Sequence, residues 1–210
     1  MIIGVCGLIG SGKDTVADYL VTNYGYQRAS FAGSLKDAVA TIFNWDRSLL
    51  EGTTKEGREW REQIDPWWAA KLNMPQLSPR WVLQQWGTEV ARINFHNEIW
   101  VASLENKLWR TANNVVITDC RFPNEFASIK RLGGKVVRVS RGASPDWYPD
   151  AEILNKGPNG NPEWSLAKTR LWKLKIHPSE YSSVGLKYDR IIDNNGTLDE
   201  LFGKVEELVA

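Results

Sequence analysis

Only two cysteines, Cys6 and Cys120, occur in 210 residues, which excludes a disulfide framework and predicts buried thiols in a reducing compartment. No apolar run approaches the roughly 18 residues that a membrane-spanning helix needs. The N-terminal apolar stretch is too short, and lacks a basic leader, for a signal peptide. Charge of one sign is not in excess: 26 basic against 25 acidic side chains leave +1, so neither a nucleic-acid-binding nor a membrane surface is expected. Internal repeats and linker-bounded domains are missing too. These absences predict a cytoplasmic protein of one domain, with an inserted subdomain, long enough to bury a core unaided.

Glycine, by contrast, is concentrated where it matters. Gly7-Leu8-Ile9-Gly10-Ser11-Gly12-Lys13-Asp14-Thr15 follows the apolar run Ile2–Cys6 and precedes the helical pattern of Val16-Ala17-Asp18-Tyr19-Leu20. Strand, glycine loop with lysine, then helix is the context of a phosphate-binding loop. Such a loop curls backbone N–H groups around a polyphosphate, and the helix start adds its positive dipole end. Gly10, Ser11, Gly12, Lys13, Asp14 and Thr15 are the expected nucleoside-triphosphate-binding residues, with Lys13 following the β/γ-phosphates. The pattern asks for Ser or Thr directly after the lysine; here Asp14 intervenes before Thr15. A carboxylate beside phosphates repels them unless Mg²⁺ or water lies between, although Asp suits the first turn of a helix. The plain alternative is a glycine-rich turn with no ligand.

Apolar runs predict strands at 2–6, about 26–31, 115–119, 135–140 and 189–193. Helices are expected at 13–24, 34–44, about 54–72, 79–93, 96–111, 123–132 and 197–209, the last opening on the capping box Thr197/Glu200. The alternation implies an α/β fold with a parallel sheet covered on both faces. Two segments interrupt it. Residues 45–112 are helical in pattern and hold eight of the eleven tryptophans, read as core packing with one or two free to stack on a planar ligand. Residues 141–187 include Asn155-Lys156-Gly157-Pro158-Asn159-Gly160-Asn161-Pro162, whose turn-residue density predicts a mobile loop acting as a lid.

Ligands of open parallel sheets bind beyond the carboxyl ends of the strands. After the second strand, Ser30-Phe31-Ala32-Gly33-Ser34-Leu35-Lys36-Asp37 suits a second phosphate, through Ser34 and Lys36. After the third, Asp119 could hold Mg²⁺ through water and Arg121 could fork onto a phosphate, with Glu125 nearby. After the fourth comes Arg141. His96 reads as structural, whereas His177, in His177-Pro178-Ser179-Glu180, has no clear role. No His- or Asp-centred base motif stands out. That favours an acceptor that is itself a phosphate monoester, largely dianionic at pH 7 because its second pKa is about 6.

The Gly-Lys-Asp-Thr loop, Ala17–Leu20 and Ala32–Ala38 resemble the deoxynucleoside monophosphate kinases of tailed bacteriophages. The similarity continues through Arg80-Trp81-Val82-Leu83-Gln84-Gln85-Trp86-Gly87-Thr88-Glu89, Asn94-Phe95 and Trp100-Val101. It resumes at Asp119-Cys120-Arg121 with Glu125, and at Ile192–Phe202, so it spans nearly the whole chain in order. Asp after the lysine is usual in that family. Animal phosphomevalonate kinases share the Gly-Lys-Asp variant but not the rest of the pattern.

The resemblance implies an adenylate-kinase-like P-loop NTPase fold with a five-stranded parallel sheet. It implies transfer of the γ-phosphate of ATP to a dNMP with Mg²⁺, for viral DNA precursor supply in a host cytoplasm. Residues of about 45–112 would form the acceptor insert, with Arg80 on the monophosphate and Gln84 or Trp100 near the base. Residues of about 141–187 would form a lid carrying Arg170, His177 and Glu180. Lys13, Arg121 and Arg141 would act on the transferring group, Asn195 and Gly196 would lie in the adenine loop, and Asp14 and Asp119 would orient Mg²⁺ through water. Oligomeric state stays open; related kinases include homodimers. The rival readings are a P-loop kinase of another phosphorylated metabolite, such as dephospho-coenzyme A, and a nucleotide-binding regulator.

Overall fold

A computed structural model describes residues 1–111, 113–158 and 160–209. Ala112 at the end of the expected insert, Asn159 in the turn-rich stretch and Ala210 lie outside the described residues. In chain order the elements are β1 (Ile2–Cys6), α1 (Lys13–Tyr24), β2 (Gln27–Ala29), α2 (Gly33–Phe43), α3 (Arg47–Glu51), α4 (Lys55–Glu62), α5 (Pro66–Leu72) and α6 (Pro79–Gln84). A π-helical segment, Gln85–Ile93, follows. The remainder are α7 (Ile99–Trp109), β3 (Val115–Ile117), α8 (Pro123–Arg131), β4 (Lys135–Ser140), α9 (Tyr148–Asn155), α10 (Pro162–Lys173), α11 (Pro178–Tyr181), β5 (Arg190–Asp193) and α12 (Leu198–Val209). Two compact units result, Met1–Ser30 with Ala112–Ala210, and Phe31–Thr111.

The first unit is a five-stranded sheet in the order β2-β3-β1-β4-β5, with every pairing parallel. This is the adenylate-kinase-like P-loop arrangement expected from the sequence. Side chains alternate along a strand, so Ile3 and Val5 share one face of β1 and Gly4 lies on the other. On the first face, Val16, Ala17 and Leu20 of α1 and Leu201, Val205 and Leu208 of α12 pack with Ile3, Val5, Val137 and Ile192 into one buried cluster. On the second, Ile129 of α8 comes against Gly4 and Gly134. Helices thus cover both faces, as parallel strands without a polar side require.

The segment from 141 to 187 corrects the expected mobile loop. It folds as α9, α10 and α11 around a small core of Tyr148, Ala151, Leu171 and Val184. Arg170 forks onto Asp150 at 2.6 and 2.9 Å, and Asn155 Nδ2 donates to the carbonyls of Tyr181 and Val184 at 2.7 and 2.8 Å. In the turn-rich stretch Asn161 caps and Pro162 opens α10, and His177 and Pro178 open α11 in the same way.

The second unit is all-helical. The single helix expected at 54–72 breaks at Asp65, whose carboxylate accepts from the N–H groups of Trp67 and Trp68 and starts α5 at Pro66. A short α3, capped by Asp46, was not expected. The helix expected at 79–93 widens to π geometry from Gln85, and within this segment the Trp100 indole donates to the Gly87 carbonyl at 2.9 Å. Trp45, Trp60, Trp68, Trp81, Trp86 and Trp100 pack with Leu35, Val39, Phe43 and Leu50. Trp67 and Trp109 are 61% and 86% exposed. Among the described residues, no helix is long and apolar enough to cross a membrane.

One carboxylate ties the entry of β5 to β4. Val136 N–H donates to Asp189 Oδ2 at 2.6 Å, Asp189 N–H donates back to Val136 O, and Lys130 of α8 pairs with Asp189 Oδ1. Burial pushes the Asp189 pKa up, but Lys130 and the Val136 N–H outweigh it and hold the carboxyl below its ordinary value. A depressed carboxylate stabilises the fold above the unfolded-state pKa, and that contribution is lost as pH falls through the folded one. Asp189→Asn is expected to cost about 1 kcal/mol at pH 7 in urea titrations, kept small by partial solvent screening. The gap from wild type should close in the acid range; a pH-independent gap would contradict the assignment.

Candidate active site

Six residues, Gly7–Gly12, join β1 to α1. Gly12 holds φ 97°, ψ 13° at the N-cap of α1 and supplies no side-chain cap. The first-turn amides of a helix have no intrahelical partner, so this start offers donors and the dipole's positive end to an anion. The Ser11 N–H closes the turn onto Leu8 O at 3.1 Å. Ser11 is buried, and its hydroxyl has no hydrogen-bond partner among the described residues. Leaving such a group unsatisfied costs about 1–3 kcal/mol, and a phosphate oxygen is an acceptor that would satisfy it. The loop therefore fits a polyphosphate.

Asp14, the residue that breaks the usual pattern, has a partner the sequence did not reveal. Arg28, the middle residue of β2, donates to Asp14 O at 3.1 Å and Asp18 Oδ1 at 2.6 Å, and its guanidinium lies 3.8 Å from Asp14 Oδ1. The carboxylate is thus offset by a fixed positive charge at the start of α1. Thr15 follows in the first turn, half-buried.

Lys13 lines a crevice together with Gly7, Leu8, Thr118, Arg121 and Glu180. Arg121 donates to Glu180 Oε1 at 3.1 Å and Ser179 Oγ at 3.4 Å. Three residues singled out separately, Lys13 from the loop, Arg121 from the β3 end and Glu180 from the segment at 141–187, are therefore brought together. Asp119, also at the β3 end, accepts from Ser30 Oγ at 2.6 Å, so the β2 and β3 ends are joined by a side-chain bond. Among the described residues no cluster of three or more His, Cys, Asp or Glu could hold a metal. Mg²⁺ needs none, since it keeps several waters and takes its other ligands from one or two carboxylates and substrate phosphates. Asp14 and Asp119 are of the type that would serve. Cys120 also lines the crevice, but burial, with the neighbouring Cys6 thiol, pushes its pKa up, so it is a neutral thiol and a poor nucleophile.

Glu125 is not available to a ligand. It is 2% exposed, and its Oε2 accepts from Arg121 N–H at 2.7 Å and Phe122 N–H at 3.0 Å. The carboxylate that the sequence offered to substrate instead shapes the turn carrying Arg121. Arg170 is committed to Asp150 and Glu163. His177 caps α11 by accepting from Ser179 N–H at 3.2 Å. Arg141 is exposed at the end of β4, and Asn195, next to the exposed Gly196, accepts from Gly142 N–H at 2.7 Å.

In the second unit, Ser34 Oγ pairs with Ser103 Oγ at 2.7 Å. Lys36 Nζ donates to Glu51 Oε2 at 2.5 Å, Arg80 lies 3.3 Å from Glu62, Gln84 ends α6, and Trp100 bonds Gly87. His96 accepts from Glu98 N–H, a local structural bond as expected.

No family model matches the chain. A protein of Acanthamoeba polyphaga mimivirus named "Putative deoxynucleotide monophosphate kinase" is 28% identical over 221 residues, covering 98% of this chain and 94% of that protein. The deoxynucleoside-5'-monophosphate kinase of Escherichia phage T5 is 29% identical over 174 residues, 60% of this chain and 70% of that one. The resemblance to viral deoxynucleoside monophosphate kinases stands. Among solved structures, TT1252 from Thermus thermophilus aligns over 100% of this chain and 96% of its own at 18% identity and TM-score 0.47. Dephospho-CoA kinase from Campylobacter jejuni aligns over 99% and 95% at 16% and 0.43.

Beside the residues named from sequence, the structure adds Arg28, Ser30 and Asn194. Ser30 and Asn194 stood inside quoted blocks, but nothing local marked their side chains. Asn194 is buried and donates from Nδ2 to Ser11 O at 2.8 Å. Glu125→Ala should leave two buried amides unsatisfied and lower stability by about 1–3 kcal/mol. It should also loosen Arg121, so phosphate affinity falls alongside the urea midpoint. A variant with wild-type stability would show that the Glu125 carboxylate does not hold this turn.

Proposed function

We propose that the chain is an ATP-dependent deoxynucleoside monophosphate kinase. A phosphate oxygen of the dNMP forms a bond to the γ-phosphorus of ATP as the bond from that phosphorus to the β,γ-bridging oxygen breaks, giving dNDP and ADP. The observation that carries this reading is the single crevice lined by both Lys13 and Arg121 at the phosphate loop. The acceptor class rests on the viral relatives, one of them matched almost end to end.

Lys13 and the loop amides stabilise the transferring phosphoryl group, and Arg121 neutralises charge between two anions that must approach. Alignment and neutralisation are what this reaction chiefly needs, because a dianionic phosphate acceptor requires no base. Mg²⁺, when bound, supplies charge neutralisation on the β- and γ-phosphate oxygens; Asp14 and Asp119 would hold it through water. The helical insert of about 45–112 holds the acceptor, with Arg80 on its phosphate, Gln84 or Trp100 near its base and Ser34 beside them. The lid of about 141–187, with Arg141, limits water at the transferring group. Asn195 and Gly196 border the adenine.

Incubation with ATP, Mg²⁺ and dGMP, dTMP, dCMP or dAMP, with their ribose forms alongside, tests the reaction through ADP release. Turnover with at least one deoxynucleotide is expected, and no acceptor-dependent ADP would overturn the proposal. Lys13→Ala should lower kcat by about 10²–10³-fold, the usual loss for a group that stabilises transition-state charge, while the circular dichroism spectrum stays that of wild type. Arg80→Ala should raise KM for the dNMP by about 10–100-fold, as loss of a charge-assisted phosphate contact does, with KM for ATP nearly unchanged. A defect confined to ATP would put Arg80 on the donor side.

A further inference from the structure

Asn194 is the first residue after β5, and its amide side chain is buried against the phosphate loop. Nδ2 donates to Ser11 O at 2.8 Å, while its backbone N–H donates to Ser140 O at the end of β4, also at 2.8 Å. The side chain occupies the place where a Cβ on Gly12 would fall, and the two would collide. Gly12 itself is left-handed, at φ 97°. One side chain thus accounts for two requirements at once: a glycine at 12, and a fixed direction for the Ser11 carbonyl.

That direction has a chemical consequence. A trans peptide is planar, with its C=O and N–H pointing opposite ways. Holding Ser11 O toward Asn194 therefore turns the Gly12 N–H away from Asn194. If the Ser11–Gly12 peptide rotated by half a turn, a carbonyl oxygen would replace that N–H. Glycine populates both signs of φ with similar ease, so position 12 is where the loop's own covalent structure least resists such a rotation.

We infer that Asn194 is a positioning residue that locks the Ser11–Gly12 peptide with its N–H, not its carbonyl, toward the polyphosphate. The inference rests on the reading of Gly7–Lys13 as a phosphate loop. It adds a role that the glycines and Lys13 do not explain. Because Asn194 is followed directly by Asn195 and Gly196, and Asn195 Oδ1 is held by Gly142 N–H, the lock belongs to the same turn that is proposed to border the adenine.

Inorganic tripolyphosphate, which has no base or sugar, isolates this effect. Calorimetric titration of the full-length protein and of Asn194→Ala and Asn194→Leu should show affinity falling by roughly 10–100-fold in both variants, the size expected for disturbing one hydrogen bond to a charged group. Leu keeps the branched shape of the side chain and removes its hydrogen-bonding groups, so it controls for packing loss in Ala. In ¹⁵N-glycine-labelled protein, the Gly12 amide resonance should move downfield when tripolyphosphate binds the wild type and not the variants. A merely structural role would lower the urea midpoint without altering that response. Unchanged affinity in Asn194→Leu, or a Gly12 amide that still shifts, would overturn the inference. A wild-type protein that binds tripolyphosphate with the expected shift but phosphorylates no dNMP would overturn the proposed reaction and leave the lock standing.

Discussion

The phosphate end of this protein depends on β1 being held on both sides. Its pairing with β3 and β4 at once leaves the strand no edge and fixes where Cys6 ends and the loop begins. Gly4 makes the fit possible, since a Cβ there would fall 2.5 Å from Ile129 Cδ1, and α8 could not then approach the sheet so closely. Because all neighbours run parallel, their carboxyl ends emerge on the same side. The loop is consequently bordered by β4, whose Val139 O lies 2.5 Å from a Cβ built on Gly7, and by the turn after β5, whose Asn194 reaches Ser11 O. Strand order is converted directly into loop shape.

Charge around the loop follows a second rule: acidic groups there have partners that orient them. Asp14 faces Arg28, Asp119 accepts from Ser30, and Glu180 accepts from Arg121. The Arg121–Glu180 pair is partly exposed, at 44% and 25% of the two side chains. Pairs of this kind contribute roughly 0–1 kcal/mol to stability. Their consequence lies in direction: Arg121 is oriented by the Glu180 carboxylate and by the Glu125-bound turn that carries it. In the proposed reaction an anion would meet an arginine whose backbone is already placed and whose ion pair is cheap to exchange.

What the sequence made legible follows the range of each interaction. The phosphate loop, α1 and the Thr197/Glu200 capping box are written within a few residues of themselves, and the capping box forms as read, with Thr197 N–H on Glu200 Oε2 at 2.9 Å and Glu200 N–H on Thr197 Oγ1 at 3.3 Å. The segment at 141–187 was read as a mobile loop because proline and asparagine mark both loops and helix starts, and only the packing of Leu171 with Tyr148 and Ala151 decides between them. The π segment meets an indole thirteen residues away. Arg28 and Asn194 acquire meaning only through partners 14 and 183 residues distant. Glu125 was visible but misassigned, since a carboxylate after a strand end reads the same whether it faces a ligand or two backbone amides.

Burial separates the two cations of the helical unit that the sequence offered to a phosphate. Lys36 is 13% exposed and shares Glu51 with Arg47. Burial pushes the Glu51 pKa up, yet the Lys36 and Arg47 charges prevail and lower it, so this carboxylate depends on both. Drawing Lys36 away would leave a half-buried anion with one partner, and breaking into such a pair costs far more than exchanging a solvated one. Arg80 and Glu62 are 40% and 60% exposed, in the range where a pair contributes little and water compensates each partner. A dianionic phosphate competes readily for Arg80 and poorly for Lys36. Of the two, Arg80 is the one that suits the proposed acceptor contact, and Lys36 joins α2 to α3 through Glu51.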